Sequence, residues 1–409
     1  MIIEFALPIL ILTALAGLIM AWGIGANDVA NAMGTSVGSG AITLSTAILI
    51  ACIFEFSGAF LAGGEVTSTV RKGILDPLLF QDNPDLFVFG MISALLAAGT
   101  WLVFATYFGW PVSTTHTIVG GIVGFGILGL SFSAIDWDTM SDIALSWLLS
   151  PLISGTISFF IYLSIDKLIL RNNNPIQMAQ RYGPIYLFFV AFIVSMVTFT
   201  KGLKHIGLGL DYTDSIIYSF IFGLFITFLG FVFLSRLRNS SIDQIFGILM
   251  VFTACVMAFA HGSNDTANAV GPVAAVFSTV MNEGVSTEAA VSVWLLLGGG
   301  IGIVLGLAMW GYRVIQTIGK EITKLTPTSG FAAELAAATT VVIASGNAMP
   351  ISTTHTLVGA VFGVGLAMSI KDLDFKVVGK IVASWLTTVP AGAILSMIFL
   401  TLFRYLFQI

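Results

Sequence analysis

Two polar decapeptides interrupt an otherwise apolar chain, "GANDVANAMG" at residues 25–34 and "GSNDTANAVG" at 262–271. Each directly follows a hydrophobic run. Each offers an Asn–Asp pair, Asn27/Asp28 or Asn264/Asp265, and a further carboxamide, Asn31 or Asn268. A carboxylate at membrane depth costs about 2.5–3.5 kcal/mol on insertion scales, so it normally faces a cavity or a partner. Gly23 and Gly25 in one copy and Gly262 in the other are expected to let the chain leave helical geometry. Asn27/Asp28 and Asn264/Asp265 would then cap a short following helix. Unwound backbone at that depth must line a cavity, and its carbonyls with the Asx oxygens suit a small cation. A water-exposed polar loop would explain one copy, but two copies abutting apolar runs less well.

A second pair of motifs has a different logic. "PVSTTHTIVG" at 111–120 returns as "PISTTHTLVG" at 350–359. Proline favours the first turn of a helix, and Ser and Thr cap well just before it or within it. The pattern predicts a helix that begins inside the membrane, with free N–H groups and hydroxyls at its positive end. Such an end binds anions. Ser113, Thr114 and Thr115 with Ser352, Thr353 and Thr354 would supply two of them, facing each other. Hydrogen bonding between neighbouring helices is the plainer use of such hydroxyls. His116 and His355 are expected to hold the hairpins by side-chain hydrogen bonds rather than to shuttle protons. Glu55 and Glu334 lie inside apolar runs without repeat partners, so each is a candidate additional cation or proton site. Neither makes a metal-ligand spacing, no HExxH or clustered Cys/His occurs, and the lack of a Walker motif argues against ATP hydrolysis by this chain.

The elements that must position these groups follow from composition. Of 409 residues, 57% are hydrophobic and 9% charged, against about 25% charged in soluble domains. Apolar runs near twenty residues recur along the whole length, as spanning helices require. The fold class is an all-α polytopic membrane protein with about twelve transmembrane helices. The first run, "FALPILILTALAGLIMAWG", has no Lys or Arg before it and reads as a span rather than a cleaved signal. Cys52 and Cys255 sit in apolar runs, are not repeat-related, and are assigned to packing.

The echo extends beyond the motifs, since "SWL" at 146–148 returns at 384–386. Equivalent residues are 237 to 239 apart (265 − 28, 350 − 111, 385 − 147). One repeat thus covers 1–165, a two-span linker 166–239 and the second repeat 240–409. Lys and Arg concentrate in cytoplasmic loops. Glu4 precedes the first repeat, whereas Arg236 and Arg238 precede the second. "SFSAIDWDTMSD" carries no basic residue, whereas its counterpart "SIKDLDFKVVGK" carries Lys371, Lys376 and Lys380. Lys167, Arg171 and Arg181 follow the first repeat, while Arg404 alone closes the second. Arg71/Lys72 against Arg313, Lys320 and Lys324, together with Lys201 and Lys204, dissent. The majority predicts inverted-topology repeats with re-entrant or broken helices and both termini extracellular.

Charge then separates mechanisms. No Lys or Arg occurs between residues 1 and 70, 73 and 166, 239 and 312, or 325 and 370, and all four motifs lie in those windows. Bringing a multiply charged oxyanion beside Asp28 and Asp265 in a low-dielectric cavity is strongly repulsive. A helix end offsets only about half a charge. Cations must therefore enter with the anion, or the aspartates must be protonated.

With these residues in view, the sequence resembles the inorganic phosphate transporter (PiT) family, whose hallmark is a duplicated G-[AS]-N-D-x-A-N-A element. "FEFSGAFLAGGEVTSTVRKGI" at 54–74 and "SGFAAELAAA" at 329–338 are also similar to family elements. The resemblance implies a twelve-span inverted-repeat symporter with re-entrant hairpins, moving phosphate with sodium or protons across the cell membrane, often as a homodimer. It is similar to the compact microbial forms, and some relatives carry sulfate. On this reading Ser113, Thr114, Thr115, Ser352, Thr353 and Thr354 hold phosphate. Asn27, Asp28, Asn31, Asn264, Asp265 and Asn268 hold sodium, the coupling ion, with Asp28 and Asp265 as its charged ligands. Sodium is preferred to protons because paired Asn and Asp supply several neutral oxygens, where a relay needs only the carboxylate. Proton- or metal-phosphate symport and sulfate symport are the nearest alternatives. An anion channel, or a membrane enzyme using Asp28 and Asp265 as acid and base with His116 or His355 assisting, is the more distant one.

Overall fold

The computed structural model describes residues 4–200, 210–237, 240–285, 291–315, 324–370, 373 and 375–409, and within them the apolar runs fold into α-helices joined by short links. In the first half these are α1 (Ala6–Gly38), α2 (Leu44–Ala62), α3 (Gly64–Lys72), α4 (Pro84–Tyr107), α5 (Thr114–Gly129) and α6 (Trp137–Ile165). Two further helices, α7 (Pro175–Thr200) and α8 (Tyr212–Ser235), connect to the second half. That half contains α9 (Ile242–Met281), α10 (Val293–Trp310), α11 (Pro327–Gly346), α12 (Thr353–Met368) and α13 (Phe375–Phe407). Among the described residues ten helices are long and apolar enough to cross a membrane, and α5 and α12 are shorter apolar helices. Outward-facing side chains such as Phe225, Phe228 and Leu229 of α8 suit a lipid surface. Lys201, Lys204, Arg238, Lys320 and Lys371, which enter the charge comparison, lie outside the described residues, as do the side chains of Arg71, Lys72 and Lys380.

The two decapeptides do not break their helices. α1 runs unbroken through Asn27 and Asp28, and α9 through Asn264 and Asp265. The expected caps for a short following helix are therefore absent at both places. In a membrane interior main-chain groups need internal partners, and an unbroken helix supplies them. The glycines serve close approach instead. A Cβ on Gly25 would meet the Ile303 carbonyl of α10, and one on Gly262 the Glu55 carbonyl of α2. The polar motifs are therefore clamped between neighbouring backbones as parts of rigid rods.

α1 and α9 cross the centre side by side and antiparallel. Gly17 lies against Val273, Asp28 comes to Asp265, and Ser39 reaches Met250. α4 and α5 form a hairpin, with Gly90 against Phe125, Gly121 against Ala94 and Gly129 returning beside Leu86. Sixteen residues make α5 only about 24 Å long, less than the roughly 30 Å hydrocarbon core. α11 and α12 pack together as the equivalent pair. The hairpin helix of each half then packs on the last long helix of the other. A Cβ on Gly120 or Gly124 would strike the Val389 or Ala393 carbonyl of α13, and one on Gly359 or Gly363 the Pro151 or Gly155 carbonyl of α6. Both pairs have the four-residue spacing of small residues that lets membrane helices touch.

Candidate functional site

The site forms where the middle of α1 and α9 meets the starts of α5 and α12. Ser113 and Ser352 are the N-caps, each accepting an N–H bond at 3.2 Å, from His116 and His355 respectively. Pro111 and Pro350 lie ahead of these caps, outside the first turn where the motif suggested them. Proline there keeps the link extended and stops the helix from starting earlier. All six Ser and Thr residues of the two starts are buried.

Each threonine beside a cap is tied to an aspartate. Thr114 Oγ1 donates to Asp28 Oδ2 at 2.8 Å, and Thr353 Oγ1 to Asp265 Oδ2 at 2.9 Å. The second asparagine of each motif reaches the other half's hairpin. Asn31 Nδ2 donates to Thr353 and Thr354 at 3.2 and 2.8 Å, and Asn268 Nδ2 to Thr114 and Thr115 at 3.4 and 3.1 Å. The starts also hold each other, since Thr115 Oγ1 donates to the Ile351 carbonyl and Thr354 Oγ1 to that of Val112. Eight of the twelve residues singled out for phosphate and sodium thus share one hydrogen-bonded centre; Ser113 and Ser352 join it as caps.

Asn27 and Asn264 play a different part in it. Asn27 Nδ2 donates to Thr106 Oγ1 and the Trp110 carbonyl, while its Oδ1 accepts from Val112 N–H. Asn264 Nδ2 likewise donates to Ser345 Oγ and the Met349 carbonyl. Both are brackets that fix the hairpin tips to the central helices. Asn27 has committed its oxygen as well; Asn264 has not.

The residue the motifs did not reveal is His261. Its Nε2 lies 2.9 Å from Asp265 Oδ2 and its Nδ1 3.3 Å from Glu55 Oε1, and all three side chains are buried. Asp28, His261 and Asp265 each offer a ligand atom within 4.8 Å of the others, a spacing that would hold a metal ion. Glu55 therefore joins the centre through this histidine. Glu334 is tied elsewhere, accepting from Thr35 and Ser36 at 2.6 Å each and from Thr253 at 2.8 Å. His261 does stand in the sequence, directly ahead of the second decapeptide. The first has Ile24 at the same place, so a search for repeated residues passes over it.

Several buried oxygens at the centre have no hydrogen-bond partner: Asp28 Oδ1, Asp265 Oδ1, Asn264 Oδ1 and Asn268 Oδ1. Buried polar groups left unpaired are costly. Among the described residues no Lys or Arg forms an ion pair with Asp28, Asp265, Glu55 or Glu334. Unpaired carboxylate and carboxamide oxygens with no Lys or Arg beside them are the kind of ligand a cation would need. Beside them stand two helix starts with hydroxyls, the kind of donors an anion would need.

Known proteins are similar to this chain over nearly its whole length. The sequence profile of the phosphate transporter family matches residues 24–396. The chain belongs to the phosphate transporter family. It is 47% identical to a putative phosphate permease of Haemophilus influenzae over 97% of both chains. It is 45% identical to the chloroplastic inorganic phosphate transporter 2-1 of Arabidopsis thaliana, over 96% of this chain and 71% of that one. A solved structure of a sodium-dependent phosphate transporter superposes with a TM-score of 0.93 at 38% identity, over 98% of this chain and all of that one. These relatives are transporters and not enzymes, in keeping with the family. The expectations of a multi-pass all-α fold and of phosphate as the transported anion stand on these matches.

Proposed function

We propose that this phosphate transporter family member is a sodium-coupled symporter. Phosphate is held between the two helix starts by Ser113, Thr114, Thr115, Ser352, Thr353 and Thr354. Sodium is held beside it by the free oxygens of Asp28, Asp265, Asn264 and Asn268, while Asn27 and Asn31 chiefly fasten hairpins. The observation that carries the reading is the juxtaposition itself. Thr114 and Thr353 each touch an aspartate through the hydroxyl that would serve the anion. A phosphate there meets two carboxylates, and cations between them turn repulsion into attraction. The similarity to a sodium-dependent transporter supports sodium in that role.

The proposal includes two inverted repeats, 1–165 and 240–409, joined by a linker at 166–239. The antiparallel course of α1 and α9, helices that carry the same decapeptide, supports the inversion. The family resemblance further implies a transporter of the cell membrane that is often a homodimer, and the distribution of Lys and Arg places both termini outside. Glu55, linked to the centre by His261, and Glu334, in its hydroxyl cage, are proposed as additional cation or proton sites. The test is uptake of labelled phosphate into sealed vesicles under imposed sodium or pH gradients. Accumulation driven by inward sodium at constant pH is expected. Accumulation driven by a pH gradient alone would replace sodium with protons.

A further inference from the structure

Behind the helix starts, four rings that the transport reading leaves unused close on one another. His116 and His355, each third in its helix, touch edge to face with ring centroids 4.3 Å apart. His116 packs on Trp147 of α6 at 3.8 Å, and His355 on Trp385 of α13 at 3.5 Å. The repeated "SWL" and "STTHT" motifs thus meet in one cluster. Both histidines are buried. His355 Nδ1 lies 3.4 Å from the Trp147 carbonyl, and Trp147 Nε1 donates to the Pro350 carbonyl at 3.4 Å. Both ring nitrogens of His116, Nε2 of His355 and Nε1 of Trp385 have no hydrogen-bond partner. The expectation that these histidines hold the hairpins by side-chain hydrogen bonds rests on long contacts to backbone, that of His355 to Trp147 and the approach of His116 to the Trp385 backbone. A proton relay would need hydrogen-bond reach from group to group, and here the rings meet by their faces and edges.

We propose that this four-ring clasp is the spacer that fixes the gap between the two anion-binding helix starts. His116 and His355 are then positioning residues that set the size of the oxyanion accepted, an inference that rests on phosphate binding at those starts. In front, Thr115 and Thr354 draw the starts together through bonds of 3.0 and 3.3 Å to the opposite link. Behind, the imidazole rings keep them apart. Each histidine shares its first turn with the cap, since its own N–H bonds to Ser113 or Ser352. A ring that shifts therefore moves the hydroxyls beside it. Close-packed interiors transmit such shifts, and hydrogen bonds weaken steeply once distance and angle leave their narrow range. The outer walls of the clasp are Trp147 and Trp385, on the last long helices of the two halves. Because α5 packs on α13 and α12 on α6, the gap depends on both halves at once.

The experiment is equilibrium phosphate binding to the purified full-length protein in sodium, with arsenate, a larger tetrahedral oxyanion of like charge, as competitor. His116→Ala and His355→Ala remove the spacer, so the starts close. The ratio of arsenate Kd to phosphate Kd is expected to rise fivefold or more. His116→Phe and His355→Phe keep a flat ring and should hold the ratio within twofold of wild type. Where an Ala variant does not fold, His116→Leu and His355→Leu fill the volume without a ring and serve the same comparison. An unchanged ratio in the Ala or Leu variants, with or without a lower melting temperature, would overturn the proposal. So would Phe variants that shift as far as Ala. Thr114→Val and Thr353→Val run alongside. If they bind phosphate like wild type, the assignment of the anion site has failed rather than the spacer.

Discussion

Asn31 donates to Thr354 Oγ1 at 2.8 Å across 323 residues of chain. The equivalent bond, Asn268 to Thr115, is 3.1 Å. Each decapeptide therefore supports the hairpin of the other half, while its aspartate receives the threonine of its own. Neither half can form the proposed anion pocket alone. Hydroxyls from both hairpins, carboxylates from both rods and the crossing carboxamides assemble only when the two halves interlock.

Thr114→Val and Thr353→Val test the anion half of this arrangement. Valine keeps the volume and removes the hydroxyl that donates to an aspartate and accepts from an asparagine. A hydrogen bond to a charged group is worth about 1.5–3 kcal/mol, or roughly 10- to 150-fold in affinity. Each variant should lose phosphate affinity in that range while still eluting as folded protein. Calorimetric titration with phosphate measures it, and binding within twofold of wild type in both would return the threonines to packing.

His261 and Glu55 offer an internal control that comes from the repeat. At the equivalent place in the other half, Gly25 faces the Ile303 backbone as Gly262 faces that of Glu55, and Ile24 stands where His261 does. Ile24 and Ile303 are buried, so the same niche is apolar on that side. His261→Ile alone strands the buried Glu55 carboxylate, at a cost of about 3–5 kcal/mol, while Asp265 keeps its bond from Thr353. The melting temperature should fall by several degrees. The double change His261→Ile with Glu55→Ile copies the apolar pair and should recover most of that stability, yet transport should stay lost. Recovery of sodium-dependent uptake by the double variant would reduce the pair to a structural ornament of one half.

Much of this centre is legible in the sequence, because its parts are written twice. Repetition marked Asp28, Asp265 and the six hydroxyl residues, and the absence of Lys and Arg around them marked the need for a cation. What repetition hides is whatever occurs once. His261 was missed for that reason, and Glu334 could be flagged only by its cost in an apolar run. Backbone course was misread at the glycines. Gly25 and Gly262 are equally consistent with a break and with close helix contact, and only the position of α10 and α2 decides between them. The exchange of α5 and α12 between halves rests on packing hundreds of residues apart, which local pattern does not encode.

Topology can be tested at two serines. Ser133 follows α5, and Ser369 follows α12, in equivalent loops of the two halves. If the repeats are inverted, these loops lie on opposite faces of the membrane. With Cys52 and Cys255 replaced, a cysteine at Ser133 and one at Ser369 should react with an impermeant reagent from opposite sides of sealed vesicles. Labelling of both from one side would end the inverted arrangement.

Asp28→Asn and Asp265→Asn test the coupling ion. The change keeps size and one oxygen ligand but removes a negative charge that no Lys or Arg among the described residues balances. If sodium neutralises these carboxylates, sodium and phosphate each raise the other's affinity by the same factor, because binding coupling is reciprocal. Either variant should then show a smaller rise in phosphate affinity with sodium, while wild type needs sodium over a broad pH range. In a proton-coupled carrier, acid would substitute for sodium, and the Asn variants would imitate the protonated state and bind phosphate without either. The measurement is phosphate binding to purified protein against sodium concentration at two pH values. Sodium-independent binding that strengthens as pH falls would overturn sodium as the coupling ion. It would leave intact the pairing of each aspartate with its threonine, since a protonated carboxyl still accepts that bond. The identity of the ion that compensates the two aspartates would be read from which titration moves the phosphate isotherm.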